Sequence, residues 1–219
     1  MNIKKYKYKL HGRNKGRKNL DNLSDTILNL YRLNINKDID KKKYNVLDIG
    51  SGSGENAILL SKNNPKAKII TCEVYRDGNI NLCQSIEKNR ISNISLFQGN
   101  VLELFYEIKT FEVFDEIWIL FPDPWPKLRH HKRRLINKNF FNKIYSFLKQ
   151  NGRLFIASDS ISYNEQIIKL IYEIQSFFLW KNQKFYQWDY NSLDLPRTKF
   201  YKKALKSNRK SMFFELNKI

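Results

Sequence analysis

The sequence has few cysteines and no long apolar run. Its two cysteines, Cys72 and Cys83, show no metal-ligand spacing and have no others to join, so we expect two buried thiols and no metal site. No apolar stretch approaches membrane-spanning length, and the first residues lack the apolar segment of a signal peptide. These absences predict a soluble, cytoplasmic protein.

Acidic residues are also scarce relative to basic ones. The 21 Asp and Glu against 40 Lys and Arg give a formal net charge of +19. A field of this sign attracts polyanions and speeds their encounter with the protein, which makes nucleic acids the obvious partners. The alternative source of this charge is the codon bias of an AT-rich genome, since Asn and Ile are abundant as well. We expect nucleic-acid binding and no obligatory protein partner.

The length of 219 residues is enough for one domain with a full core. Along it, clusters of apolar residues alternate regularly with residues that end helices and strands. Amphipathic helices are predicted between strands, among them one closed by Asn151-Gly152 and a later one with Ile167, Leu170, Ile171, Ile174 and Phe178 on one side. Predicted strands lie at 45–50, 68–73, 95–98, 114–121 and 153–157, with weaker ones near 184–188 and 211–216. This alternation predicts an α/β fold with a parallel sheet covered on both faces. Residues 1–19 read as a basic, poorly ordered arm before a single domain at 20–219.

A glycine-rich turn, DIGSGSGE at 48–55, follows the first predicted strand. Glycines at Gly50 and Gly52 let the backbone turn tightly and approach a ligand closely. Glu55 occupies the first turn of the next helix, where its carboxylate would repel a pyrophosphate. S-adenosylmethionine carries a sulfonium and an ammonium and no phosphate, so the carboxylates of Asp48 and Glu55 suit it. The turn therefore favours this cofactor over a dinucleotide.

Two further polar residues follow the next strands. Glu73 ends the second strand, where a carboxylate can accept hydrogen bonds from ribose hydroxyls, and Asn100 follows the third, where it can bond an adenine edge. The alternatives are a helix-dipole partner at Glu55 and a solvated strand end at Glu73. Because ligands of parallel sheets sit at the carboxyl ends of strands, these residues together predict an adenosine ligand.

A proline-rich segment, FPDPWP at 121–126, follows the fourth strand. Three prolines at alternate positions predict an extended, stiff loop that presents Asp123 and Trp125 at the ligand edge of the sheet. Five cations and two histidines follow within 127–134. The alternative is a loop that merely ends the strand, followed by solvated charge. Such a loop needs neither three prolines nor a tryptophan.

The segment DPWPK-x-RH-x-KRRL at 123–135 resembles the signature of the bacterial tRNA (guanine-N7)-methyltransferases. The resemblance covers nearly the whole chain. It implies a Rossmann-like class I methyltransferase sheet, mostly parallel with an antiparallel C-terminal strand and helices on both faces. It also implies S-adenosylmethionine as cofactor, tRNA as partner, and methyl transfer to N7 of a guanine in the variable loop.

The resemblance also assigns roles to residues, with Asp123 as the catalytic one. The expected cofactor contacts are Asp48, Gly50, Gly52, Glu73, Asn100 and Asp123. The expected substrate contacts are Lys127, Asp159, Thr198, Lys199, Phe200 and Tyr201. The expected RNA contacts are Arg129, His130, His131, Lys132, Arg133 and Arg134. Two positions depart from the family pattern: Asn100 stands where Asp is usual, and Tyr201 stands where the T-x-[FY]-E motif expects a carboxylate.

Guanine N7 carries an in-plane lone pair and no proton, so methylation there needs alignment of the reactants and no general base. We expect Asp123 to orient the reactants and Asp159 to accept from the guanine N1–H and N2–H₂ edge. Two alternatives stay open. One is an exocyclic-amine methyltransferase, whose loop reads Asp/Asn-Pro-Pro-aromatic, and the other is a non-catalytic RNA-binding protein that keeps a methyltransferase fold.

Overall fold

The computed structural model of the protein describes residues 22–190 and 195–219. The basic arm predicted at 1–19 lies outside these residues. Seven strands form one sheet: β1 (Asn45–Ile49), β2 (Lys68–Glu73), β3 (Ile94–Gln98), β4 (Phe114–Leu120), β5 (Leu148–Ser158), β6 (Phe178–Trp180) and β7 (Met212–Lys218). Their order across the sheet is β3-β2-β1-β4-β5-β7-β6.

Strands β1 to β5 pair in parallel, and β7 runs antiparallel to both of its neighbours, β5 and β6. The chain fills one side of the sheet with β2 and β3 and then returns to place β4 on the other side of β1. The junction of β1 and β4 is therefore the topological switch point, where such sheets bind ligands. The predicted mostly parallel sheet with an antiparallel C-terminal strand is confirmed.

Helices cover both faces of this sheet. They are α1 (Asn22–Leu30), α2 (Ile35–Asp38), α3 (Glu55–Asn63), α4 (Arg76–Asn89), α5 (Val101–Glu107), α6 (Lys138–Phe147), α7 (Ile161–Glu173) and α8 (Lys199–Lys206). Successive side chains of a strand point to opposite faces. Accordingly, Val46 packs in the core cluster that includes α3 and α4, whereas Leu47 packs in the cluster that includes α5, α6 and α7. Within the described residues, no helix has the length and apolar character needed to cross a bilayer.

Three local predictions are wrong. Helix α6 ends at Phe147, and β5 begins one residue later, so Asn151 and Gly152 lie inside a strand and do not close the helix. Residues 184–188 contain a 3-10 turn, Phe185–Gln187, and no strand. The prediction also lacks the edge strand β6, because it places Phe178 on a helix. The pairing of β6 with β7 joins residues about forty apart in sequence, which no local pattern reveals.

Candidate cofactor and substrate site

A cleft of about 540 Å³ opens at the carboxyl ends of β1, β2, β3 and β4. Five of the six residues predicted to contact the cofactor line it: Gly50, Gly52, Glu73, Asn100 and Asp123. They come from four separate turns of the chain, and the switch point of the sheet brings these turns together. The sixth, Asp48, lies beneath the cleft and is buried.

The glycine turn is braced by the carboxylate at the end of β2. Gly50 and Gly52 adopt the left-handed conformation, with φ of 71° and 57°. The Gly52 N–H donates to Glu73 Oε2 at 2.8 Å, and the Tyr75 N–H donates to Glu73 Oε1 at 2.8 Å. Each carboxylate oxygen can accept a second hydrogen bond. Glu73 is thus fixed in place and still has acceptor capacity at the cleft.

Asp48 supports the turn from below. Asn56 Nδ2 donates to Asp48 Oδ1 at 3.0 Å, while Asp48 Oδ2 is buried without a partner among the described residues. Desolvation by burial raises the pKa of Asp48 to about 7, the nearby charges of Glu73 and Glu55 act in the same direction, and the hydrogen bond from Asn56 opposes them. Asp48 does not line the cleft, unlike the other five residues that were predicted to contact the cofactor.

Asn100 has a structural task in addition to its place in the cleft. It is the N-cap of α5: its Oδ1 accepts from the Leu102 N–H at 2.8 Å, and Glu103 Oε2 accepts from the Asn100 N–H at 3.2 Å. This is a capping box, which the spacing of Asn100 and Glu103 in the sequence already signals. An Asn caps a helix as an Asp does, and it adds an N–H₂ donor that Asp lacks.

The proline loop after β4 is not simply extended. Phe121 and Trp125 both adopt positive φ, 54° and 42°, although each precedes a proline, a position that favours extended backbone. Such conformations cost on the order of 1–3 kcal/mol each and are typical of functional sites. The backbone is therefore not extended at Phe121 and Trp125, and the prediction of an extended loop is wrong at these two positions.

The loop presents Asp123 and Trp125 to the cleft, as predicted. Partial desolvation raises the pKa of Asp123 above its ordinary value. The guanidinium of Arg133, which also lines the cleft, lies over the Trp125 ring at 5.0 Å, and the ring of His130 meets the same indole edge-on at 5.8 Å. The cleft thus contains a carboxylate, a large aromatic face and a cation within one short segment.

Arg134 does not face solvent with its neighbours. It is 2% exposed, and its guanidinium donates to the backbone oxygen of Pro124, to both oxygens of Ser162 and to Gln166 Oε1, at 2.8–3.1 Å. It also lies over the Tyr163 ring at 4.8 Å. These contacts tie the proline loop to α7. The guanidinium is not available to a phosphate, which argues against the predicted RNA contact.

The rest of the cationic segment is accessible. It forms a 3-10 turn, Leu128–Arg133, that begins after Lys127. Lys127, Arg129 and Lys132 are exposed, and His130 and His131 are half-buried. Of residues 127–133, only Arg133 lines the cleft. Together these residues form a cationic rim next to the cleft, a placement compatible with the predicted RNA contacts.

Helix α8 forms part of the cleft wall. Thr198 caps its N-terminus, accepting from the Tyr201 N–H at 3.2 Å, and is buried. Lys199 and Phe200 line the cleft, with the Phe200 ring 3.8 Å from the position that a Cβ on Gly52 would occupy. Tyr201 points the other way. It is 2% exposed, and its ring packs against Tyr190 at 4.6 Å, so it belongs to the core below the cleft rather than to a substrate surface.

Asp159 and Lys203 are two residues at which the cleft differs from the predicted site. Asp159, just after β5, does not line the cleft and is paired with Arg209, whose Nε lies 2.8 Å from Asp159 Oδ2. Lys203 does line the cleft, although we did not predict it. Its spacing of four residues from Lys199, on the same face of one helix, is the signal that could have found it.

Comparisons with known proteins agree with this geometry. The family model described as "Putative methyltransferase" matches residues 42–214, from before β1 into β7. A tRNA (guanine-N(7)-)-methyltransferase of Wolbachia pipientis wMel is 35% identical over 200 residues, which cover 89% of this chain and 86% of that protein. The chain belongs to the tRNA (guanine-N7)-methyltransferase family. This confirms the resemblance stated from the proline loop.

Other relatives extend this picture of the methyltransferase family. The chain is 36% identical over 198 residues to a bifunctional methyltransferase of Rickettsia felis, and the match spans 90% of this chain but 37% of that protein. Among solved structures, an rRNA methylase from Streptococcus thermophilus shares the fold with a TM-score of 0.55 at 15% identity, covering 90% of this chain and 94% of that one. A Streptococcus mutans protein in complex with SAH has a TM-score of 0.55 at 14% identity, covering 90% and 96%.

Proposed function

We propose that this chain transfers the methyl group of S-adenosylmethionine to N7 of a guanine in the variable loop of tRNA. The observation that carries the proposal is that one cleft holds the glycine turn, the braced carboxylate of Glu73 and the proline-loop carboxylate of Asp123. Family membership and the +19 charge favour tRNA as the substrate. A tRNA substrate in turn favours a cytoplasmic location.

The residues of the cleft fit S-adenosylmethionine. The carboxylates of Glu55, Glu73 and Asp123 line it, which suits a ligand with two positive charges and no phosphate. A Cβ added at Gly50 would meet nothing within 4 Å, so the turn leaves open space for a ligand. Glu73 would accept from the ribose hydroxyls and Asn100 would bond the adenine edge. When bound, the cofactor supplies an electrophilic methyl group on a sulfonium.

The protein's own residues then have to hold and align the two reactants. Because guanine N7 has a free lone pair and carries no proton, no side chain has to act as a general base. We assign Asp123 to orientation, as an acceptor of hydrogen bonds from the base or the cofactor at the centre of the cleft. Trp125 and Phe200 provide aromatic faces in the same cleft for a base that has left its stack.

Guanine selection involves Asp159 in this proposal. Its carboxylate would accept hydrogen bonds from the N1–H and N2–H₂ groups of guanine, which adenine does not have. Arg209 already holds that carboxylate at 2.8 Å, so the base would share Asp159 with Arg209 or displace it. Lys127 and Lys199 would contact the phosphates and sugar near the target, and the rim at 129–133 would bind phosphates without reading sequence.

The test is methylation of an unmodified tRNA transcript by the purified chain. Mass analysis of the nucleosides, followed by strand cleavage specific for 7-methylguanine, is expected to locate one methylated guanine in the variable loop. Methylated product without that cleavage would favour the exocyclic-amine alternative. Calorimetry that detects no S-adenosylmethionine binding at millimolar concentration would favour the non-catalytic RNA-binding alternative.

A further inference from the structure

Helix α8 and the turn after it are densely cationic. Residues 199–210 contain no acidic side chain and six exposed cations: Lys199, Lys202, Lys203, Lys206, Arg209 and Lys210. The inward face of the helix is formed by Tyr201 and Ala204, which are buried. The four lysines therefore lie on the surface side of a helix that is anchored through its apolar residues, and Arg209 and Lys210 follow in the turn after it.

This charge does not serve the stability of the helix. Within the described part of the chain, none of the four lysines of α8 forms a salt bridge. Lys199 and Lys203, and likewise Lys202 and Lys206, are four residues apart, a spacing at which like charges repel each other. The first turn contains cations where the helix dipole favours anions. A helix built this way is stabilised when an anion binds to it.

The cationic surface of α8 begins at the cleft. Lys199 and Lys203 line it, together with Arg133 of the rim. From Lys199 to Lys206 the helix rises about 10 Å, so the lysines lead from the cleft onto the outer surface. A polynucleotide whose target base enters the cleft would have its flanking phosphates within reach of this helix.

We propose that the exposed face of α8 is a second tRNA-binding surface, which holds phosphates flanking the target guanine. The proposal rests on the proposed function, because that function makes tRNA the polyanion. It adds to the predicted RNA contacts at 129–134 a helix about seventy residues further along the chain. Lys202 and Lys206 are its outer members and do not touch the cofactor cleft.

The test is the salt dependence of tRNA binding by a Lys202→Gln/Lys206→Gln variant, measured by fluorescence anisotropy without cofactor. A Lys62→Gln/Lys66→Gln variant is the matched control. It removes the same charge from exposed positions near the start of β2, at the edge of the sheet away from the cleft. The slope of log Kd against log salt is expected to fall by about 1.5 in the α8 variant and to stay at the wild-type value in the control.

Equal slopes in both variants would overturn the proposal. Removing like-charge repulsion should leave α8 folded, so an unchanged or higher Tm of the α8 variant excludes misfolding as the cause of weaker binding. The proposed function is tested separately by 7-methylguanine formation in the wild-type chain. A reduced slope without any 7-methylguanine would support the surface and refute the reaction, whereas 7-methylguanine with equal slopes would do the reverse.

Discussion

The carboxylate of Glu73 accepts a hydrogen bond from the backbone N–H of Gly52 at 2.8 Å and thereby joins the end of β2 to the turn after β1. A residue expected only to bind ribose therefore also shapes the loop on which the cofactor would rest. Replacing it should consequently affect both the ligand contact and the conformation of the turn.

Glu73→Ala is expected to weaken S-adenosylmethionine binding at least about tenfold, because two backbone N–H groups lose their acceptor and the ribose contact disappears. Glu73→Gln keeps one side-chain acceptor and should fall between the wild type and Glu73→Ala. Calorimetric Kd values for the three proteins provide the measurement. A wild-type Kd for Glu73→Ala would show that the turn holds the cofactor without this brace.

Asp48 should make stability depend on pH. Its pKa of about 7 in the folded state exceeds the ordinary value, so between about pH 4 and pH 7 the folded protein keeps a proton that the unfolded chain has lost. The free energy of unfolding should therefore fall as pH rises through this window, by at most about 1.4 kcal/mol per pH unit from this group. Urea titrations of the wild type and of Asp48→Asn, which has no titrating group there, isolate the effect. A constant difference between the two proteins across this window would refute it.

Arg133 and Arg134 form a matched pair for separating binding from stability. Arg134→Ala should lower the free energy of unfolding by about 2–4 kcal/mol, since it removes a buried side chain whose hydrogen bonds tie the proline loop to α7. Arg133→Ala should leave stability almost unchanged and reduce the log–log salt slope of tRNA binding by about 1. Chemical denaturation and anisotropy titrations measure the two quantities. The reverse pattern would mean that the two guanidinium groups have exchanged roles.

Asp123→Asn should impair the reaction and spare RNA binding. The amide keeps the shape of the side chain but loses the negative charge, and removal of one oriented electrostatic contact typically lowers kcat by about 100-fold. The tRNA Kd should stay within about twofold of wild type, because one exposed charge beside the cationic rim contributes little. Single-turnover rates and Kd values provide the measurement, and a wild-type rate would remove Asp123 from its assigned role.

The sequence predicts the parts of this site that depend on local pattern. Strand ends can be recognised from apolar runs, so Glu73, Asn100 and the proline loop were all placed correctly at one edge of the sheet. The capping box of Asn100 and Glu103 is likewise a local pattern that the spacing of the two residues signals.

Burial within a charged or polar segment could not be read in the same way. Arg134 differs from Arg133 only because it meets Ser162 and Gln166 of α7, a contact made by the tertiary fold. The Tyr201 side chain points into the core, where its ring packs against Tyr190. The edge strand β6 forms through its hydrogen-bonded pairing with β7. Each of these depends on residues that are distant in sequence or on another element.

The position of Phe200 over Gly52, on the same helix as Lys202 and Lys206, has a thermodynamic consequence. One helix borders both the cleft and the proposed tRNA-binding surface, so a shift of α8 that improves the fit of one ligand would change the fit of the other. Such coupling is reciprocal: if tRNA tightens cofactor affinity by some factor, the cofactor must tighten tRNA affinity by the same factor.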